Sequence, residues 1–591
     1  MPRPPGPPAA RDRPPAAGAQ RSSHSRLGRL DRLVVSAGLL LPHGAAGQVP
    51  GPGGPERPDG TPASTWTGGT AVGPGPRASG QAGGPGAVAV LDRPEAPPAE
   101  RGGWRDTYLG PRAVAAVLVA GIAARFLPAG PLWFDEAQSV GIARLPLPQL
   151  FAALRQDGSP PLYYILLHLW MLLVGRSTFA VRALSGLVSV ATIPVVARLA
   201  RRLLPERARW PAILLFASSP FAIRFADEAR MYSLVVLLVA LGGLALLRAL
   251  EQPTRWRLLP LAAASGALAL THYWGVFVLA AAGAGLAWRA LHGDLPCRLS
   301  LLALLAGGIP FAPWVPSLLF QIGHTGTPWQ HAGPFASIVA PAAWAGAIGT
   351  SSGMFVAVPF VGVLLALVAA GSLRFPAART LASLAFVAVA LGGLVSFALR
   401  AAVVPRYTSI GLVPYLLAGA AGITVLQGPW ARRALALAVS LGLVAGLLDT
   451  TAPRTLAGQA AAVLKRDGSP ADTVVYCPDQ FGPSVSRLLP GWYLQQMYPT
   501  GAFPLRVDWV DYAARNWLSS PDRFARASAT QAGDQPLWLL EANNVTSYYG
   551  RCGQLAAAFH HLRPETIVHH LGPNPMNTAE SESLIEYLPS R

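Results

Sequence analysis

Between residues 112 and 449 one apolar block follows another with only short polar breaks, and no other feature constrains the fold of this chain as strongly. A run of about 20 apolar residues matches a hydrocarbon core ~30 Å thick, so repeated blocks of that length predict an all-α polytopic membrane protein. Composition agrees: 52% of the 591 residues are apolar and 13% are charged, with a mean hydropathy of +0.37. Soluble domains carry about a quarter charged residues, so an ordinary soluble enzyme is excluded.

The formal charge is +18, and because Lys465 is the only lysine the excess is arginine. A basic stripe would point to nucleic acid, but in a polytopic chain arginine gathers in cytoplasmic loops, so no nucleic-acid partner is expected. Five clusters fit that rule: Arg198 to Arg209, Arg248 to Arg257, Arg289 with Arg298, Arg374 with Arg379, and Arg432 with Arg433. Placing all five inside assigns eleven spans: 112–129, 181–203, 210–226, 231–250, 257–271, 273–291, 299–319, 354–372, 380–399, 407–427 and 431–449. The amino terminus is then cytoplasmic and the tail extracytoplasmic. One consequence is not obvious. The apolar segment 161–175 cannot cross, since crossing would put the Arg198 cluster outside, and as a helix it would rise only about 22 Å. It is expected to lie along the outer surface, as is 336–350. Trp133, Trp210, Trp256, Trp274 and Trp314 fall near span ends, where interfacial tryptophans collect.

Residues 1–108 are rich in Pro, Gly, Ala and Arg and cannot bury enough apolar surface to offset chain entropy, so a disordered cytoplasmic tail is expected. A mis-assigned start would equally account for it. The helical membrane part is assigned to 109–450. From 451 to 591 the composition turns soluble; 473–476, 536–540 and 566–570 read as strands and 456–465 as a helix, which predicts a small extracytoplasmic α/β domain. Cys477 and Cys552 both fall there, and the sequence leaves open whether they pair or stay free thiols. The sequon at Asn544 is short enough to arise by chance.

With this topology the scarce carboxylates collect on one side. The first outer loop carries Asp135 and Glu136 and then Asp157; further on come Arg224, Asp227, Glu228, Arg230 and Tyr232, then His272, then Arg406 and Tyr407. Ionisable groups near membrane depth are costly unless paired or used, which makes this concentration a candidate site. Each residue also has a bland reading. Asp135 caps a helix beginning at Glu136; Arg224 with Glu228 and Asp227 with Arg230 are local ion pairs; Arg406 snorkels; His272 is an interfacial histidine.

Taken in order, the motifs say more. Phe134-Asp135-Glu136, Asp157-Gly158-Ser159-Pro160-Pro161-Leu162-Tyr163-Tyr164, Arg182-Ala183-Leu184-Ser185, Ser219-Pro220, Glu228-Ala229-Arg230-Met231-Tyr232-Ser233 and Thr271-His272-Tyr273 together resemble the bacterial glycosyltransferases of the GT-C fold. The chain is most similar to the protein mannosyltransferase and aminoarabinose transferase group, best over about 112–320. That resemblance implies an enzyme that moves a sugar from a polyprenyl-phosphate donor to a lipid, glycan or protein acceptor on the outer face of a bacterial plasma membrane. It also implies a catalytic place for Asp135 and Glu136. Ser159 stands where the group often carries His or Lys, so a cationic donor contact is missing there.

Chemically, Asp135 is the candidate general base and Glu136 orients it or the acceptor. Arg230 or Arg406 would meet the phosphate charge, Tyr232 and Tyr407 would add hydrogen bonds, and direct displacement predicts inversion. A divalent ion held by Asp135 or Glu228 with His272 suits the ligand types, though no spacing requires it. Two rivals stand beside this reading: a glycolipid transporter or flippase, and a non-catalytic scaffold whose charges only pair with one another.

Overall fold

The computed structural model describes residues 108–127, 130–326, 354–542, 550–572 and 583–589; the expectations for 1–107, for 336–350 and for the Asn544 sequon lie outside these residues. The helices are α1 (Pro111–Ala124), α2 (Phe134–Ala143), α3 (Leu147–Asp157), α4 (Leu162–Val174), α5 (Thr178–Leu203), α6 (Arg209–Ser218), α7 (Pro220–Ala226) and α8 (Tyr232–Glu251). After them come α9 (Arg255–Thr271), α10 (Gly275–Leu291), α11 (Leu295–Ala306), α12 (Val315–His324), α13 (Met354–Arg374), α14 (Pro376–Ala398), α15 (Leu412–Ile423) and α16 (Gly428–Thr451).

Among the described residues six stretches are long and apolar enough to cross a bilayer unaided: α5, α8, α11 with α12, α13 from Val356, α14 and α16. The other expected spans fall on shorter or broken helices. The span expected at 210–226 divides at Ser219-Pro220 into α6 and α7, because proline brings no N–H to the helix ladder. The carbonyls freed at the end of α6 are met by Arg125, which donates to Phe216 O at 2.9 Å and Ala217 O at 2.8 Å and also binds Ser189 Oγ at 2.9 Å. This buried arginine was not singled out by the sequence.

α15 lies at the centre of the bundle. Every one of its residues is buried, as expected for a helix apolar on all sides. It packs on α13 so closely that a Cβ at Gly422 would collide with the Leu367 carbonyl. The opposite end of the bundle gathers arginine: Arg202 meets Glu251 at 2.7 Å, and Arg257 meets the same carboxylate at 3.4 Å. Two of the clusters assigned to one side by charge counting therefore do share a face.

α4 is the segment that charge counting kept out of the membrane. Near its start the Tyr164 hydroxyl donates to Asp157 Oδ2 at 3.2 Å, beside the sheet region; just beyond its end Arg487 of the sheet region donates to Arg176 O at 3.0 Å. The far end thus meets the sheet region directly, and the near end reaches it through Asp157 and Gln138, which holds Val507 O. At 13 residues the helix rises only about 20 Å, short of a hydrocarbon core ~30 Å thick.

After α16 and a further helix, α17 (Ala457–Asp467), the chain builds a five-stranded sheet: β1 (Thr473–Cys477), β2 (Leu494–Met497), β3 (Leu537–Glu541), β4 (Thr566–His569) and β5 (Ser583–Tyr587). The order is β2-β1-β3-β5-β4, with β1 parallel to β2 and β3 and the last two strands antiparallel. β1, β3 and β4 match the expected strands within a residue or two. β2 and β5 do not announce themselves, since Leu494-Gln495-Gln496-Met497 and a glutamate inside β5 break the apolar pattern. Cys477 and Cys552 form a disulfide, which settles the alternative left open above. The fold is therefore an all-α membrane bundle with surface helices, carrying a small α/β region.

Candidate active site

α2 supplies the acidic pair, and its start lies earlier than the sequence suggests. The helix begins at Phe134 with Trp133 at the N-cap, so Asp135 sits in the first turn and the reading of Asp135 as the cap is corrected. Glu136 takes the local task instead, accepting from Trp133 N at 3.3 Å. It is fully buried, grips Arg182 through both oxygens at 2.6 and 2.5 Å, and accepts from Ala229 N at 3.0 Å. Burial by itself would raise its pKa; the Arg182 charge and hydrogen bonds, the Arg454 charge and the Ala229 N–H outweigh it and hold the carboxyl below its ordinary value. Arg182 also donates to Gly130 O and Pro131 O, so Glu136 is a tether between α2, α5 and the turn before α8. No oxygen of Glu136 is left to orient an acceptor.

Asp135 is placed differently. Its Oδ2 lies 2.9 Å from Arg406 and 4.0 Å from Arg230. Arg230 is anchored by Ser139 Oγ at 3.2 Å and Tyr164 Oη at 3.4 Å, while Arg406 comes from the 3₁₀ turn Pro405–Gly411 and stacks over Trp133. Arg230 Nε, Arg406 Nε, Trp133 Nε1 and the Tyr232 hydroxyl are all buried and make no hydrogen bond among the described residues. Four donors of this kind beside one carboxylate are suited to an anionic ligand.

A ring wall stands behind them. His272 lies 4.9 Å from Tyr407 and 5.7 Å from Tyr232, centroid to centroid. It occupies the turn between α9 and α10, where burial, with Arg230 and Arg406 nearby, pushes its pKa down to about 3. The ring is neutral at pH 7. Its Nδ1 accepts from Trp274 N at 3.1 Å, which leaves Nε2 as the protonated nitrogen.

The remaining charges form a second knot. Asp227 does not pair with Arg230 as the local spacing suggested; it is gripped by Arg454, which reaches it from the segment after α16. Arg224 lies 3.8 Å from Glu228 and 3.5 Å from Asp449. Burial raises the pKa of Glu228, and Arg224 and Arg454 counter it only in part. Counting both knots, Asp135, Glu136, Asp227, Glu228 and Asp449 face Arg182, Arg224, Arg230, Arg406 and Arg454, so charge balances. Asp135, Glu136, Glu228, Arg230, Tyr232, His272, Arg406 and Tyr407, all singled out from the sequence, thus come together. Arg182, Asp449 and Arg454 were missed as partners, because their pairing spans distant parts of the chain.

The residues do not fit a divalent ion. Arg230 and Arg406 occupy the side of Asp135 where a cation would compete, His272 has its Nδ1 engaged, and no three His, Cys, Asp or Glu converge suitably among the described residues.

Residues 158–324 match the family model described as dolichyl-phosphate-mannose-protein mannosyltransferase. No curated protein sequence matches the chain. Among solved structures, ArnT from Cupriavidus metallidurans in the apo state is similar over 80% of this chain and 96% of its own, at 16% identity and a TM-score of 0.50. The chain has the GT-C fold. The same ArnT bound to undecaprenyl phosphate covers 80% and 97%, at 14% identity and a TM-score of 0.49, and the S. cerevisiae Pmt1-Pmt2 complex bound to the sugar donor covers 40% and 36%, at 17% identity and a TM-score of 0.28. In this GT-C chain the family match begins at the Gly158 turn, whose φ of +90° ends α3 as glycine permits, and runs through Arg182, Arg230 and His272 to the end of α12.

Proposed function

We propose that the protein is a membrane glycosyltransferase that moves a sugar from a polyprenyl-phosphate carrier to an acceptor hydroxyl on the extracytoplasmic face of a bacterial plasma membrane. The observation that carries this reading is the Asp135 carboxylate set against Arg406 and Arg230, with unpaired donors from both guanidiniums, Trp133 and Tyr232 around it. Asp135 takes the proton of the acceptor hydroxyl as its oxygen attacks the anomeric carbon. The bond from that carbon to the phosphate oxygen breaks, and the lipid phosphate leaves with its added charge facing Arg230 and Arg406. Tyr232 and Tyr407 line the same space, and His272 holds their rings apart. A single displacement inverts the anomeric centre. ArnT has been solved with undecaprenyl phosphate, which supports this donor class as the one to test.

In this reading 109–450 carries the donor chemistry and 451–591 stands on the acceptor side. The test is purified protein in vesicles loaded with an undecaprenyl-phosphate sugar, followed by mass spectrometry of acceptors. Covalent sugar on an acceptor, lost by at least about a hundredfold in Asp135→Asn, supports the proposal. Sugar lipid that merely changes leaflets, with no covalent product, favours a flippase and rejects it.

A further inference from the structure

The chain between β2 and the helix Tyr512–Trp517 crosses the bundle as a strap, residues 503–511, and its fastening is more elaborate than a linker requires. Gln138, one turn beyond Asp135 on α2, holds Val507 twice: Val507 N donates to Oε1 at 2.8 Å and Nε2 donates to Val507 O at 2.9 Å. The same Nε2 donates to Asp157 Oδ1 at 2.9 Å. Further along, Trp509 N donates to Gln156 O at 3.2 Å, and Asp511 N donates to His324 O at 2.8 Å. At Gly141 a Cβ would strike the Leu505 carbonyl, so the strap lies directly on α2. Gln138 and Val507 are almost wholly buried, and an amide in such a place is expensive unless every polar atom is used.

The fastening continues into the candidate site. The other oxygen of Asp157 accepts from Tyr164 Oη at 3.2 Å, and that hydroxyl accepts from Arg230 at 3.4 Å. A continuous series therefore joins Val507, Gln138, Asp157, Tyr164 and Arg230, ending at the guanidinium beside Asp135. The sheet is turned the same way. Cys477 at the end of β1 and Tyr498 just after β2 share an apolar cluster with Phe134 of α2, and the chain that leaves the carboxyl end of β2 rests on α2 at Leu505 and Val507. In open α/β sheets that edge is where ligands bind.

We propose that the strap 503–511 is the acceptor-side wall of the site and that Gln138 is the positioning residue that links its seating to Arg230. This rests on the glycosyltransferase reading, because Arg230 is taken to meet the donor phosphate. When lipid phosphate binds Arg230, the guanidinium, Tyr164, Asp157 and Gln138 are held more firmly in register, and the strap, already seated on α2, is fastened more tightly there. The acceptor wall is thereby firmest on a loaded donor site.

The experiment is hydrogen exchange of the 503–511 backbone in full-length protein in nanodiscs, with and without undecaprenyl phosphate, alongside direct measurement of binding of that lipid. In the wild type the lipid slows exchange of the strap about tenfold, the scale of one strengthened hydrogen bond. Gln138→Glu sets a carboxylate against Asp157 and the Val507 carbonyl; exchange rises by about the same factor and the lipid no longer slows it. The exchanged pair Gln138→Glu with Asp157→Asn restores an amide donor to the contact and recovers part of the lipid effect, while a merely structural role would leave the lipid effect intact in every folded variant. Unchanged exchange in α15 shows that each variant is folded. Lipid that binds the wild type without protecting the strap overturns this proposal alone; lipid that does not bind the wild type overturns the glycosyltransferase reading and this proposal with it.

Discussion

Asp135 and Glu136 are neighbours in sequence with opposite employment, and the difference is one of partners. Glu136 is saturated by Arg182, Ala229 N and Trp133 N, whereas Asp135 meets its arginines at the edge of a space lined with unpaired donors. Breaking a buried ion pair by removing one charge costs about 3 to 5 kcal/mol, so Glu136→Gln should lose that much stability in a detergent melt at pH 7. The pH dependence has a definite sign. The folded-state pKa of Glu136 lies below its unfolded value of about 4.3, so its stabilisation is complete above that value and is lost as pH falls towards the folded value. The gap in melting temperature between wild type and Glu136→Gln should therefore close below about pH 4. A gap that stays constant down to pH 3 would mean that shape, and not charge, sets the role of Glu136.

At the scale of elements, α4 and α15 show why apolar content does not decide location. α4 is as apolar as a span, yet Tyr164 near its start binds Asp157 and Arg487 of the sheet region binds the Arg176 carbonyl just beyond its end. Arg176, exposed in the turn after α4, is the position to probe: in Arg176→Cys a membrane-impermeant maleimide should label it from the same side as the sheet region, and labelling from the opposite side would make α4 a crossing helix. The native free thiol, Cys297, is buried and will not interfere. α15 makes the reverse case, buried on every side against α13. Gly422→Ala drives a methyl into the Leu367 carbonyl, and overpacking of this sort costs about 1 to 3 kcal/mol. Thermal unfolding of that variant in detergent is the check, with Gly362→Ala, which has open space, as the silent control.

For the whole molecule the question is how firmly the sheet region and the bundle act together. The Cys477–Cys552 bridge closes a separation of 75 residues, and a loop of that length confers about 4 kcal/mol on the chain-entropy account. Replacing both cysteines by serine should lower the unfolding temperature of the sheet region. If the helices keep their own transition, the two parts unfold separately; if a single transition moves as a whole, the strap and the Arg454–Asp227 contact make them one cooperative unit.

The sequence by itself determined that the chain is a helical membrane bundle carrying a small α/β region, and it marked the acidic and arginine motifs that the fold brings together. Those properties follow from hydropathy, length and charge counting, which act over a few turns of chain. It also determined the order of motifs from Phe134 to Tyr273 on which the GT-C resemblance rests. Only the tertiary structure decided who pairs with whom: Asp227 with Arg454 instead of Arg230, Glu136 with Arg182, and Gln138 with Val507 at a separation of 369 residues. β2 and β5 likewise became strands through their neighbours, β2 lying along β1 and β5 between β3 and β4, with little apolar pattern of their own to announce them. The physical reason is common to all of these. A buried charge or amide is satisfied by whatever donor the fold brings within about 3 Å, and that choice is made in space, between residues whose spacing along the chain carries no period to read.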